Sequence, residues 1–93
     1  MDITREVDGK KGRYVLRLDG EEADLTYSIL SPQRIIADHT GVPDALRGTG
    51  AGRALVERLI ADAREEGVKI IPLCPFVNAE RRKHPDWADV FDV

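Results

Sequence analysis

The chain has 93 residues, of which 42% are hydrophobic and 33% charged, a balance that predicts one compact domain over residues 1–93 and excludes a disordered tail. Fourteen basic residues against seventeen acidic ones give a formal charge of -3, so there is no general footprint for nucleic acid or anionic lipid, and any anion site must be local. The single Cys74 excludes an internal disulfide, Met1-Asp2-Ile3-Thr4 begins no signal sequence, and no apolar run approaches a membrane span; these features predict a cytoplasmic protein with a free thiol.

Residues 7 to 19 end in Tyr14-Val15-Leu16-Arg17-Leu18, where Tyr14, Leu16 and Leu18 alternate with more polar neighbours. Gly20-Glu21-Glu22 then turns the chain, and Leu25-Thr26-Tyr27-Ser28-Ile29 repeats the alternation, so the two strands read as an antiparallel hairpin. Ser31-Pro32-Gln33 is a break, and Arg34 to Val42 reads as a third strand. From Gly52 onward the period changes: Leu55, Val56, Leu59, Ile60 and Ala63 fall on one helical face, and Gly67 caps the end. Val68 to Leu73 is an apolar run suited to a buried strand, Asn78 is a candidate cap for a short helix stopped before Pro85, and Trp87, Val90 and Phe91 suit a closing turn. The fold class is therefore α+β: a mixed sheet of about four strands, the last parallel to the third across a right-handed helical crossover, with a short C-terminal helix.

Between the third strand and the long helix stands Arg47-Gly48-Thr49-Gly50-Ala51-Gly52-Arg53. A helix start presents unpaired amides and the positive end of the helix dipole, glycines let a ligand approach the backbone, and Arg47 and Arg53 add charge. This pattern predicts a backbone-amide cradle for a diphosphate. A Walker loop needs Gly-Lys-Ser/Thr at its end, and a dinucleotide fingerprint needs a third glycine where Arg53 stands; neither is present. Cys74, His39 and His84 show no metal-ligand spacing, so no metal site is expected.

On these residues the sequence resembles the GNAT acetyltransferase superfamily, whose Gln/Arg-x-x-Gly-x-Gly/Ala signature is met by Arg47, Gly50 and Gly52. The wider set, His39-Thr40-x-Val42, Leu46 to Gly52, Pro72-Leu73-Cys74-Pro75-Phe76-Val77 and His84-Pro85-Asp86-Trp87, is similar to the minimal YjdJ-type branch. The resemblance implies acetyl-CoA as cofactor, an open acceptor side, and a pantetheine arm between splayed third and fourth strands with its thioester near His39 and Cys74. Two positions depart from the family pattern: Gly41 stands where an acidic residue is usual, and Glu80 where an aromatic one is frequent.

Acetyl transfer to an amine needs a base, positioning, an oxyanion donor and a leaving thiolate. His39 is the candidate base, and Cys74 is either a nucleophile activated by His39 or part of the channel wall. Backbone amides around Leu73 are candidate oxyanion donors, and Asn78 is a candidate partner for pantetheine amides. Arg81-Arg82-Lys83 reads as a solvated charge run with the adenosine phosphate as the alternative. The expected activity is transfer of acetyl to a primary amine on a small molecule or a protein, by a monomer; the rival reading is a coenzyme A sensor or interaction module without efficient transfer.

Overall fold

The computed structural model describes residues 1–93. Five strands lie in one sheet in chain order: β1 (Asp2–Asp8), β2 (Lys11–Leu18), β3 (Glu21–Ser31), β4 (Arg34–Gly41) and β5 (Lys69–Pro72). The first four are antiparallel neighbours, and β5 runs parallel to β4. Helix α1 (Ala51–Glu66) makes the crossover, α2 (Pro75–Lys83) follows β5, and 3-10 turns occupy Asp44–Leu46 and Pro85–Val90. No helix is long and apolar enough to cross a membrane.

Alternation explains which sheet face is covered. Tyr14 and Leu16 on β2, Leu25 and Tyr27 on β3, and Ile35 and Ala37 on β4 are buried in the same core as Leu55, Val56, Leu59, Ile60 and Ala63 of α1. That stripe is the one its helical spacing predicts, and burying one such aliphatic side chain stabilises by about 1.5–3 kcal/mol. Trp87, Val90 and Phe91 close the same core, with Phe91 bridging to Ile70 along the β5 edge.

Two expectations change. The sheet has five strands because Asp2–Asp8 is a strand of its own, joined to β2 through Gly9, which takes a left-handed φ of 62°. Only Ile3 in β1 is even half-buried, so the strand has almost no hydrophobic signature, and its pairing with β2 is what forms it. The second change is in α2: Cys74, in extended conformation, is its N-cap and Pro75 its first residue. Asn78 is therefore inside the helix and caps nothing; its side-chain oxygen accepts from Arg81 Nε at 2.8 Å.

Candidate active site

β5 accompanies β4 only from Arg34 to Ala37. Past Pro72 the chain turns away: the Leu73 N–H donates to the Ile71 carbonyl at 3.0 Å, and the Cys74 N–H donates to the Ala37 carbonyl at 2.8 Å. Proline at the first position of α2 then forces the departure from the sheet. Asp38 to Gly41 consequently have no β5 neighbour, and a wedge opens between the strands. The splay leaves neither the Leu73 nor the Cys74 amide free, which removes the two nearest of the expected oxyanion donors. The Leu73 side chain is exposed.

On the helical side the wedge continues into a groove of about 450 Å³. Its lining comprises Thr40, Val42 and Leu46, the turn residues Arg47, Gly48, Gly50, Ala51, Gly52 and Arg53, and Phe76 and Glu80 from α2. Leu46 is buried and pins the turn to the core. Gly48 and Gly50 have φ of 80° and 85°, a region costing other L-residues about 1–2 kcal/mol, and nothing lies within 4 Å of where their Cβ atoms would be. Thr49 folds the loop on itself: its hydroxyl donates to the Leu46 carbonyl at 2.5 Å and accepts from the Ala51 N–H at 3.2 Å. Gly50 is the helix N-cap, its carbonyl accepting from Ala54 at 2.9 Å. The N–H groups of Gly48, Gly50, Gly52 and Arg53 then have no acceptor within the protein.

Four free donors at the positive end of a 16-residue helix suit a diphosphate, because they supply hydrogen bonds and favourable potential together. Arg47, exposed and paired with Asp44 at 3.0 Å, and exposed Arg53 add positive charge. Gly52 has a different duty. A Cβ there would lie 2.7 Å from Phe76 Cζ, so this glycine lets α2 pack its ring against the start of α1.

Cys74 is 2% exposed, and its sulfur is 3.3 Å from the Thr40 hydroxyl. His39 is not beside it. Thr26 pairs with His39 but Tyr27 pairs with Ala37, so Asp38 is the extra residue of a β-bulge. Ala37 faces the core, while Asp38 joins Ser28 on the open face, where the Ser28 hydroxyl donates to its carboxylate at 2.6 Å. After the bulge Thr40 opposes the buried Leu25 and faces the groove, and His39 opposes Thr26 and faces outward, exposed. The expected contact between His39 as base and Cys74 as nucleophile is therefore not formed: the two side chains stand on opposite faces of β4. The reading of Arg34–Val42 as a third strand places no bulge, because an inserted residue leaves no mark in the local sequence.

On the open face the structure adds a residue that the sequence does not single out. A Cβ on Gly41 would lie 3.0 Å from Asp24 Oδ1 and 3.6 Å from His39 Nε2. Asp24, one strand over, thus borders the same space beside Gly41 as His39, which is the space an acidic residue at 41 would enter; the two do not form an ion pair, and Arg13 Nε holds the other Asp24 oxygen at 3.0 Å. Cross-strand register alone creates this neighbourhood. Thr40 and Phe76 belong to the family-like pattern, but their place in the groove wall is set by the fold. Asn78 and Leu73 are not among the groove's lining residues.

Comparison with known proteins agrees with this fold. The family model described as GCN5-related N-acetyl-transferase matches residues 13–90. Protein NATD1 of Xenopus tropicalis is 29% identical over 85 residues, covering 89% of this chain and 78% of that protein; the Homo sapiens protein of the same name is 28% identical, covering 89% and 75%. A GCN5-like candidate N-acetyltransferase from Staphylococcus aureus, solved in solution by NMR, superposes with a TM-score of 0.70 at 30% identity, over 96% of this chain and 87% of that one. The chain belongs to the GCN5-related N-acetyltransferase family and is an acetyltransferase.

Proposed function

We propose that the protein is an acetyl-CoA-dependent N-acetyltransferase acting on a primary amine. The observation that carries this reading is the set of four unpartnered amides at Gly48, Gly50, Gly52 and Arg53, opening into a groove that leads to the β4–β5 wedge. When bound, acetyl-CoA supplies an activated acetyl group as a thioester. The protein contributes the rest: amides and arginines hold the diphosphate, and Thr40, Val42 and Phe76 line the path of the arm. Cys74 with the Thr40 hydroxyl walls the inner end, where buried side chains exclude water.

The amine enters from the open face of the sheet, where His39 is exposed. His39 takes the proton that the amine must lose, and the Asp24 carboxylate, across the space beside Gly41, adds negative charge on the same face. Because no base touches Cys74, direct transfer to the amine fits this geometry better than a route through an acyl-cysteine. The wide, uncovered acceptor side suits small amines and protein amines alike.

A thermal-shift titration tests binding first: coenzyme A is expected to raise the melting temperature, since a ligand stabilises the state that binds it. An unchanged melting temperature at saturating concentration would remove the cofactor assignment. With an acceptor found by screening, His39→Ala is expected to lower kcat by about 100-fold or more, the usual worth of a general base, while Cys74→Ala keeps most turnover. Unchanged kcat in His39→Ala, or a collapse confined to Cys74→Ala, would reverse the two assignments.

A further inference from the structure

Glu80 is the buried charged residue of the core, 5% exposed, and it lies in the wall of the cofactor groove. Its Oε2 is fully buried and has no hydrogen-bond partner. Two cations face the carboxylate without reaching hydrogen-bond distance: Arg53 Nε from α1 is 3.8 Å from Oε1, and Lys83 Nζ, one turn on along α2, is 3.7 Å from Oε2. A buried carboxylate oxygen left without a donor costs the fold more than a paired one, because its desolvation is not repaid by a hydrogen bond. Elsewhere in the molecule every other buried side-chain nitrogen or oxygen is satisfied. The exception belongs to a residue that lines the groove, and its other oxygen, Oε1, faces Arg53 of the glycine turn at 3.8 Å, which is the side from which an incoming molecule meets this carboxylate.

The chemistry of the missing donor is restricted. Two cations lie alongside, and the carboxylate of Glu80 offers them and any ligand only acceptor oxygens. Diphosphate oxygens are also acceptors, so the group in the amide cradle cannot satisfy Glu80, and its charge is repelled by it. The donor must be an N–H or O–H on an uncharged part of the ligand. The same groove runs on to Thr40, which touches Cys74, so the part of the ligand that fills it is the chain leading away from the diphosphate toward the acyl end.

We propose that Glu80 is a specificity residue that accepts a hydrogen bond from an amide or hydroxyl of the pantetheine arm, so that this protein selects arm-bearing diphosphates over bare ones. The proposal rests on the acetyl-CoA reading above and names which part of that ligand the chain inspects. Coenzyme A fulfils both demands of the groove: the cradle takes its diphosphate, and Glu80 is relieved by its arm. Inorganic pyrophosphate and adenosine diphosphate fulfil only the first. Arg53 links the two subsites, since the cation that faces Glu80 also stands beside the cradle.

Calorimetric titration of the full chain with coenzyme A, adenosine diphosphate and inorganic pyrophosphate tests this in wild type, Glu80→Gln and Glu80→Met. Binding of coenzyme A to wild type establishes the underlying reading by itself; its failure is separate from failure of the Glu80 assignment. Glu80→Met, which keeps the bulk without an acceptor, is expected to weaken coenzyme A by about 10-fold or more, the usual worth of a charge-assisted hydrogen bond, while leaving pyrophosphate and adenosine diphosphate equal or tighter. Glu80→Gln keeps a carbonyl acceptor and is expected to fall between the two for coenzyme A. Melting curves confirm that both variants are folded before they are titrated. Equal changes for all three ligands would overturn the proposal in favour of general repulsion, parallel weakening of coenzyme A and adenosine diphosphate would place the donor on the nucleoside, and unchanged coenzyme A affinity in Glu80→Met would leave no ligand contact at all.

Discussion

At the far end of α1, Asp62 accepts from the Tyr14 hydroxyl at 2.8 Å and from Arg58 Nε at 3.1 Å, and Arg5 donates to Glu66 and, at 3.0 Å, to the Tyr27 hydroxyl. The Arg5 and Arg58 guanidinium groups also lie within 6 Å of the tyrosine rings, so donors, acceptors and aromatic faces are all used. At the near end, four backbone N–H groups and one carboxylate oxygen have no partner. The helix is the same; what differs is whether the protein completes its own hydrogen bonds. A closed network stabilises the fold, whereas an incomplete one sacrifices some stability to keep donors and an acceptor available for a ligand.

The largest expected effect comes from filling the incomplete end. Gly50→Glu sets a side chain and a negative charge into the empty space at a left-handed position, and it should weaken coenzyme A by about 100-fold or more, as losing charge-assisted hydrogen bonds does. The thermal upshift with coenzyme A should vanish in this variant while Asp62 and its partners stay in place. Retention of tight binding would show that the cradle is not where the ligand sits.

Opening the closed end should do the converse. Asp62→Ala leaves the Tyr14 hydroxyl buried without its acceptor and is expected to cost about 1–3 kcal/mol in denaturant unfolding, with coenzyme A affinity unchanged. Burial and the hydrogen bond to Asp62 together push the Tyr14 phenol well above its ordinary range. A phenol raised in the folded state stabilises below its unfolded pKa and loses that contribution as pH rises past about 10, so wild type should show an alkaline loss that Asp62→Ala blunts. A weakened cofactor site in Asp62→Ala would mean that the two ends are coupled.

The smallest effect belongs to the exposed pair of Arg64 and Asp89, which ties the end of α1 to the closing turn at 2.6 Å. The hydrogen bond from Arg64 holds the Asp89 carboxyl below its usual range. A depressed carboxyl contributes above its unfolded pKa and loses that contribution as pH falls through the folded value; added salt should weaken it throughout. Asp89→Asn should flatten the acid side of the melting-temperature profile slightly, and an identical profile would assign the pair no role in stability.

Local signals determined much of this protein. The stripe from Leu55 to Ala63, the alternation in β2 and β3, Gly67 as a left-handed cap and the glycine turn at the start of α1 are periodic or conformational properties of short segments, and each can be read without knowing what it packs against. The turn with four free amides was legible for the same reason: those amides all fall between Gly48 and Arg53. Charged, exposed β1 was not legible, because only its partner strand makes it a strand.

Tertiary structure alone decided the sides of the active site. One inserted residue, Asp38, turns His39 away from Cys74 and brings Thr40 inward; cross-strand register puts Asp24 and His39 around the same space beside Gly41; and the packing of α2 on Gly52 carries Glu80 into the groove. These relations depend on pairing and packing between residues from 10 apart, as in Tyr27 and Ala37, to 34 apart, as in Thr40 and Cys74, and a period of two or of 3.6 residues contains no information about the partner across the sheet.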